Sequence, residues 1–207
     1  MSVRTCFRVA SWRTPLRSNP NRTAGRYNNR ESPATQYFCL HPLGPWAEYL
    51  RAHELRSPEE LSERRLWAWA AKFDLADAVE IGFANASDFG LDPEDLVSDD
   101  HNRCRDLAAQ LREDPSAPST IIVPNAALPG TQNVVVFGER VQIPYNWTPK
   151  GYVDVPASAI SKRGQPPNGL QDMVRYRGES HIELEEWLAG RLYEFPDFMP
   201  ISPPAAD

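Results

Sequence analysis

Residues 120–144 read TIIVPNAALPGTQNVVVFGERVQIP. Thr120–Val123 and Asn133–Phe137 are nearly all Val, Ile and Phe, which predicts two strands covered on both faces. Leu128-Pro129-Gly130-Thr131 has the composition of a turn between them, and Arg140–Pro144 reads as a third strand. Upstream, residues 3–11 and TQYFCL at 35–40 have strand texture, with β-branched and aromatic residues bounded by breakers. Gly44-Pro45 opens a helix expected to run from Pro45 to about Leu55, because proline fits the first helical positions. Ser57-Pro58-Glu59-Glu60 is a capping box. It is expected to start a second helix through Leu61, Leu66, Trp69, Ala70 and Phe73, with Trp67 and Trp69 on different faces. Asp77–Phe83 reads as a strand and Pro93–Val97 as one helical turn. A third helix, capped by Asp99 or Asp100, carries Cys104, Leu107, Ala108 and Leu111 at the spacing of one face. Ser180 with Glu183 predicts a last helix to about Leu188. Strands and helices in this mixed order imply an α+β fold with a mainly antiparallel β core and flanking helices, not a doubly wound sheet. The change of texture after Tyr145 divides the chain into a domain at 1–145 and a proline-rich extension at 146–207.

Composition narrows the function. The 207 residues hold 22 Lys and Arg against 28 Asp and Glu, a net charge of −6. That balance argues against nucleic acid held by phosphate contacts, yet a few arginines in a pocket suffice for a small anion. No apolar run is long enough for a transmembrane helix, and the first ten residues are too polar for a signal peptide. Cys6, Cys39 and Cys104 form no CxxC, so neither a zinc site nor a disulfide framework is expected, and a cytoplasmic, reducing setting is the default. Twenty prolines, about twice the usual share, predict long surface loops, with residues 12–34 as a lid or lining loop.

The residues able to do chemistry gather in the first fifty. Arg8 sits inside the apolar run Phe7-Arg8-Val9-Ala10, where a guanidinium needs an anion or a carboxylate. Gly25-Arg26-Tyr27-Asn28-Asn29 is a glycine-hinged turn that presents a second arginine. Tyr37 lies in the following strand, and Glu48 is placed in the first turn of the next helix, where the dipole favours a carboxylate. Two arginine forks match a diphosphate, a tyrosine offers a stacking face, and a fixed carboxylate stabilises a developing cation or a sugar hydroxyl. Together they describe a site that cleaves the N-glycosidic bond of a nucleotide. Each member also has a plain structural reading: a salt-bridged strand arginine, a loop arginine, a core tyrosine, a helix-start glutamate.

The intervals Arg26 to Tyr37 and Tyr37 to Glu48 are equal. Phe7-Arg8, the GRYNN turn and QYFCLHPLGPWAEYL at 36–50, taken with IIVPNAALPGTQNVVVFGERV at 121–141, resemble the RES domain family, named for Arg, Glu and Ser. The resemblance spans roughly residues 4–143. It implies a fold similar to ADP-ribosyltransferase toxins and an enzyme, a bacterial toxin of a toxin–antitoxin pair, that degrades NAD. Nicotinamide would be released with water or inorganic phosphate as acceptor and no metal. By that resemblance Arg8 and Arg26 hold the phosphates, and Tyr37 packs on or near the nicotinamide. Glu48 stabilises the ribosyl cation or binds its hydroxyls. Tyr27 and Asn28 share the turn and join the binding residues. An antitoxin is the implied protein partner, no membrane is involved, and a homo-oligomer is left open. The departure is Asn125, in Val123-Pro124-Asn125-Ala126, where the family has serine. Asparagine either replaces the hydroxyl as a ligand to phosphate or ribose or fills the pocket. A lost hydrogen bond of ~1–3 kcal/mol is about one or two decades of rate or affinity. Two other readings stay open: a catalytically weakened nucleotide-binding or interaction module on the same scaffold, and an ADP-ribosyltransferase acting on a macromolecule.

Overall fold

The computed structural model describes residues 3–11, 23–137, 147–148, 151–152 and 160–196. The expected strand at 140–144, the first half of the loop at 12–34 and the tail beyond Pro196 lie outside the described residues, apart from Pro196 itself.

Seven strands form one sheet in the order β4-β5-β6-β2-β1-β3-β9. They are β1 (Val3–Ala10), β2 (Thr35–Cys39), β3 (Leu66–Asp74), β4 (Val79–Glu80), β5 (Thr120–Pro124), β6 (Gln132–Phe137) and β9 (Ile160–Gly164). Every pairing is antiparallel except β4 with β5. A separate two-stranded hairpin joins β7 (Trp147–Thr148) to β8 (Gly151–Tyr152). The helices are α1 (Gly44–His53), α2 (Pro58–Ser62), α3 (Asn102–Glu113) and α4 (Ile182–Leu188), with 3₁₀ turns at Phe83–Phe89 and Pro93–Leu96. The α+β expectation holds.

The β5–β6 pair is covered on both faces, as its composition predicts. Ile121, Val123, Val135 and Phe137 pack against Cys104, Leu107 and Ala108 of α3. Ile122, Val134 and Val136 face Cys6, Phe38 and Trp69 on the other side. A third cluster joins Trp46, Ala47 and Leu50 of α1 to Leu128 and to Leu170, Val174 and Tyr176 from the C-terminal segment.

Three sequence expectations are corrected. The helix begun at Ser57 stops at Ser62, although the capping box forms as expected. Residues 66–74 are instead β3, hydrogen-bonded to β1 on one side and β9 on the other. The run LWAWAAKF fits a helical period as well as an alternating one, and pairing on both sides decides for the strand. Trp67 and Trp69 therefore share a face, both packed in the Phe38 cluster, while Leu66 and Ala68 turn toward α1. The strand expected at Asp77–Phe83 shrinks to Val79–Glu80. At the start of α3, Asp100 accepts from the Asn102 N–H at 2.9 Å, whereas Asp99 is drawn into ion pairs elsewhere.

The cap of α4 is His181, not Ser180. Its Nδ1 accepts from the Leu184 N–H, which leaves the ring proton on Nε2 to meet the Asn125 carbonyl at 3.2 Å. Glu183 turns away and accepts from the Gly130 N–H at 2.7 Å. Burial pushes the His181 imidazole down to about 4 against the pull of the Asn125 bond, with Arg175, Arg51 and Arg26 adding to the effect. The unfolded chain takes up this proton near pH 6.5, and the folded chain resists until about 4. The contribution is thus complete above pH 6.5 and declines as pH falls toward 4. The melting temperature is expected to fall across that window. His181→Asn, which keeps a capping oxygen but cannot titrate, is expected to flatten the fall. Equal pH slopes for parent and variant would contradict this reading.

Candidate active site

Arg8, Arg26, Tyr37 and Glu48 line one cavity of about 540 Å³, although they come from β1, a loop, β2 and α1. The sheet supplies its floor through Phe7, Arg8, Phe38, Val123 and Val135, and α1 supplies a wall through Pro45, Glu48, Tyr49 and Arg51.

Arg8 stands opposite Trp69 in the β1–β3 register. Its guanidinium carbon lies 5.6 Å from the Phe38 ring centre and 5.7 Å from that of Trp69. Both distances are in the cation–π range. Among the described residues no carboxylate pairs with it, and its Nη1 is buried without a hydrogen-bond partner. Burial lowers its pKa, as desolvation disfavours the charged form. A half-buried cation whose Nη1 is a buried, unused donor at a cavity wall is a ready-made anion contact.

The GRYNN turn is locked onto β2. The Tyr37 hydroxyl donates to Asn28 Oδ1 at 2.7 Å and accepts from the Tyr27 N–H at 3.0 Å. Gly25 closes the turn with its N–H on the Asn28 carbonyl at 3.0 Å. A Cβ at Gly25 would stand 2.6 Å from Asn28 Oδ1 and 2.8 Å from the Tyr37 hydroxyl, so only glycine fits. From below, Arg105 donates to the Gly25 carbonyl at 2.9 Å and Arg112 to the Tyr27 carbonyl at 2.7 Å. Tyr27 itself is only 1% exposed and belongs to the α3 core. Asn28 is likewise buried, and its amide nitrogen is spent on the Thr23 and Asn29 carbonyls. Both position Tyr37, and Tyr27 also lines the cavity.

Glu48 sits one turn deeper in α1 than the sequence reading placed it, because the helix already begins at Gly44 and its first turn holds no acid. Its orientation comes from β6 instead: Asn133 Nδ2 donates to Glu48 Oε1 at 2.9 Å. Asn133 Oδ1 accepts in turn from the Cys39 thiol at 2.9 Å. Burial, together with the nearby Glu48, pushes the Cys39 thiol well up, which keeps it a donor. The relay Cys39–Asn133–Glu48 follows from the Cys39↔Asn133 register. The only sequence signal for Asn133 was an amide at the head of an apolar strand.

Three further cavity residues escaped the sequence reading. Arg51, Arg177 and His101 line it with Arg8 and Arg26, so four arginines face the single carboxylate of Glu48 among the described lining residues. Arg26 gives one donor to the Asp95 carbonyl at 3.1 Å and another to the Ser98 carbonyl at 2.7 Å. Arg51 is nearly buried and paired with Asp99. Burial, then Arg26, Arg105 and Arg51, push His101 down to about 4. The cavity is thus a positive enclave in an acidic chain, a field that draws small anions.

Asn125 stands apart. It is fully buried and absent from the cavity lining. Its Oδ1 accepts from the N–H groups of Ala127 at 2.9 Å and Leu128 at 3.1 Å, an Asx-type turn that shapes the link between β5 and β6. Its amide nitrogen lies near the Cys39 sulfur and close under Gly44. The structure thus places Asn125, expected at phosphate or ribose, in a turn outside the cavity lining.

No family model matches the chain. Over 122 residues, 58% of its length, the chain is 32% identical to a Mycobacterium tuberculosis protein named "Probable NAD(+) phosphorylase". The match spans 56% of that protein, little more than half its length. The fold is shared with a chain of the crystal structure of the M. tuberculosis MbcT–MbcA toxin–antitoxin complex. The TM-score is 0.56 at 18% identity, over 84% of this chain and 89% of that one.

Asn125→Ala leaves two buried N–H groups without their acceptor. Unfolding by urea is expected to show a loss of about 1–3 kcal/mol. A change under about 0.5 kcal/mol, the scale of an ordinary surface substitution, would return Asn125 to the list of candidate ligands.

Proposed function

We propose that this protein cleaves the N-glycosidic bond of NAD and releases nicotinamide, with inorganic phosphate or water as acceptor, as a RES-type toxin. The observation that carries this is the convergence of Arg8, Arg26, Tyr37 and Glu48 on one cavity, the strand arginine and the three evenly spaced residues that the sequence singles out. The relative's name, a probable NAD(+) phosphorylase, supports the same chemistry, and the neighbour's title supports a toxin with an antitoxin partner. Three free, buried cysteines accord with a reducing cytoplasm.

The chemistry asks little of the protein beyond placement and charge. Nicotinamide leaves from a pyridinium, so the breaking C–N bond returns its electron pair to the ring nitrogen and no acid is needed. Positive charge then develops on the ribose as an oxocarbenium ion. Glu48, held by Asn133, stabilises that charge or grips the ribose hydroxyls. The acceptor oxygen forms the new bond to the anomeric carbon. A water acceptor releases its proton to solvent. A phosphate acceptor gives ADP-ribose 1″-phosphate.

Arg8 and Arg26 take the diphosphate. Tyr37, immobilised by Asn28 and the Tyr27 N–H, offers its ring to the nicotinamide. No group of three His, Cys, Asp or Glu among the described residues is placed to hold a metal, and the mechanism calls for none.

The test is nicotinamide release from NAD by the purified protein, with and without phosphate. Glu48→Gln keeps the oxygen that accepts from Asn133 but removes the charge. It is expected to lower turnover at least about a hundredfold with the melting temperature unchanged. Dependence on phosphate identifies the acceptor. Turnover by Glu48→Gln at the parental rate contradicts the assigned mechanism.

A further inference from the structure

We propose, resting on the dinucleotide-cleaving reading, that Arg177 of the C-terminal segment completes the anion site. In this account it contacts the substrate's diphosphate from the cavity rim, and Asp99 is the positioning residue that sets it there.

Residues 175–179 form a turn pinned at nearly every position. The Arg175 N–H donates to the Ala127 carbonyl at 2.9 Å, and its side chain reaches the Val97 carbonyl at 2.9 Å and Asp99 at 3.3 Å. The Tyr176 N–H donates to Glu179 at 2.8 Å, and its hydroxyl to the Leu55 carbonyl at 2.5 Å. The Gly178 N–H donates to Asp99 Oδ2 at 2.7 Å, from a backbone φ of 78° that suits glycine. Glu179 is paired with Arg56 at 2.9 Å. Arg177 alone in this turn has no hydrogen bond or ion pair among the described residues, and it is exposed and lines the cavity. A rigid turn has been built around one free guanidinium.

Asp99 links this turn to the site. One carboxylate holds Arg51, Arg175 and the Gly178 N–H together, while the carbonyls of Asp95 and Ser98 hold Arg26. A single loop, residues 95–101, therefore orients arginines from three distant parts of the chain. Despite its partial burial, which pushes the other way, the Gly178 N–H and the two arginines keep the Asp99 carboxyl below its ordinary range. Asp99 offsets Arg51 and Arg175, whereas Arg8, Arg26 and Arg177 line the cavity with no carboxylate paired to them among the described residues, and a diphosphate brings two charges to meet them.

The test uses the full chain and two probes, ADP-ribose and adenosine, in equilibrium binding. Arg177→Gln is expected to weaken ADP-ribose about tenfold, the scale of one charge-assisted hydrogen bond at a solvent-facing position, to leave adenosine unchanged, and to reduce the salt dependence. Arg177→Lys should restore part of the loss. Unchanged ADP-ribose affinity in Arg177→Gln overturns the proposal, and so does an equal loss for both probes, which marks a general disturbance. Parent protein that binds ADP-ribose without cleaving NAD would fail the reading above and leave this contact standing. Parent protein that releases nicotinamide but shows no Arg177 effect on ADP-ribose does the reverse.

Discussion

A charge held inside a β-sheet sets the terms for the rest of this molecule. Arg8 lies on β1, beside the central strand β2, flanked by the rings of Phe38 and Trp69 and with no carboxylate paired to it among the described residues. Removing a guanidinium from water costs several kcal/mol unless something replaces its hydration. The two aromatic faces return part of that cost. The rest falls to whatever fills the cavity beside it. Replacing Arg8 by an apolar residue would relieve the strand, so its presence reads as a functional cost that the fold around it was built to carry.

The surrounding architecture serves the same end. The sheet brings β1, β2, β5 and β6 side by side, which gathers Arg8, Tyr37 and Asn133 on a common floor. Helix α3 braces the GRYNN turn through Arg105 and Arg112, and α1 leans Glu48 over the floor, where Asn133 fixes it. The close seat of Gly44 against Cys39, 2.8 Å from where a Cβ would stand, sets how near α1 can come. The loop at 95–101 then arranges the remaining arginines. Binding groups are thereby fixed before a ligand arrives, and preorganisation of this kind lets fixed charges act on a transition state without rearrangement.

Much of this was legible in the sequence, and the reasons are specific. The buried β5–β6 pair announced itself through uninterrupted Ile and Val, and the site quartet through an arginine in a strand and an evenly spaced Arg, Tyr and Glu. What stayed hidden depends on contacts far along the chain. LWAWAAKF satisfies two periods at once, so only pairing with β1 and β9 makes it a strand. Asn125 looked like a ligand by position, yet its oxygen is spent two and three residues on. Asp99, Arg51 and Arg177 carry no local pattern. Their meaning lies in a carboxylate that meets one cation from α1 and another from the C-terminal segment. His181 caps a helix with an imidazole, where Ser180 one residue earlier offered the commoner signal.

The central claim is that the Arg8 guanidinium, its Nη1 buried without a partner among the described residues, awaits the diphosphate of a dinucleotide. A crystal structure of the Glu48→Gln protein soaked with NAD tests it most directly. The account predicts a diphosphate oxygen about 3 Å from the Arg8 guanidinium, a hydrogen-bond distance, with the nicotinamide ribose beside residue 48 and the nicotinamide ring against Tyr37. NAD seated elsewhere, with Arg8 Nη1 still unpartnered, would contradict it.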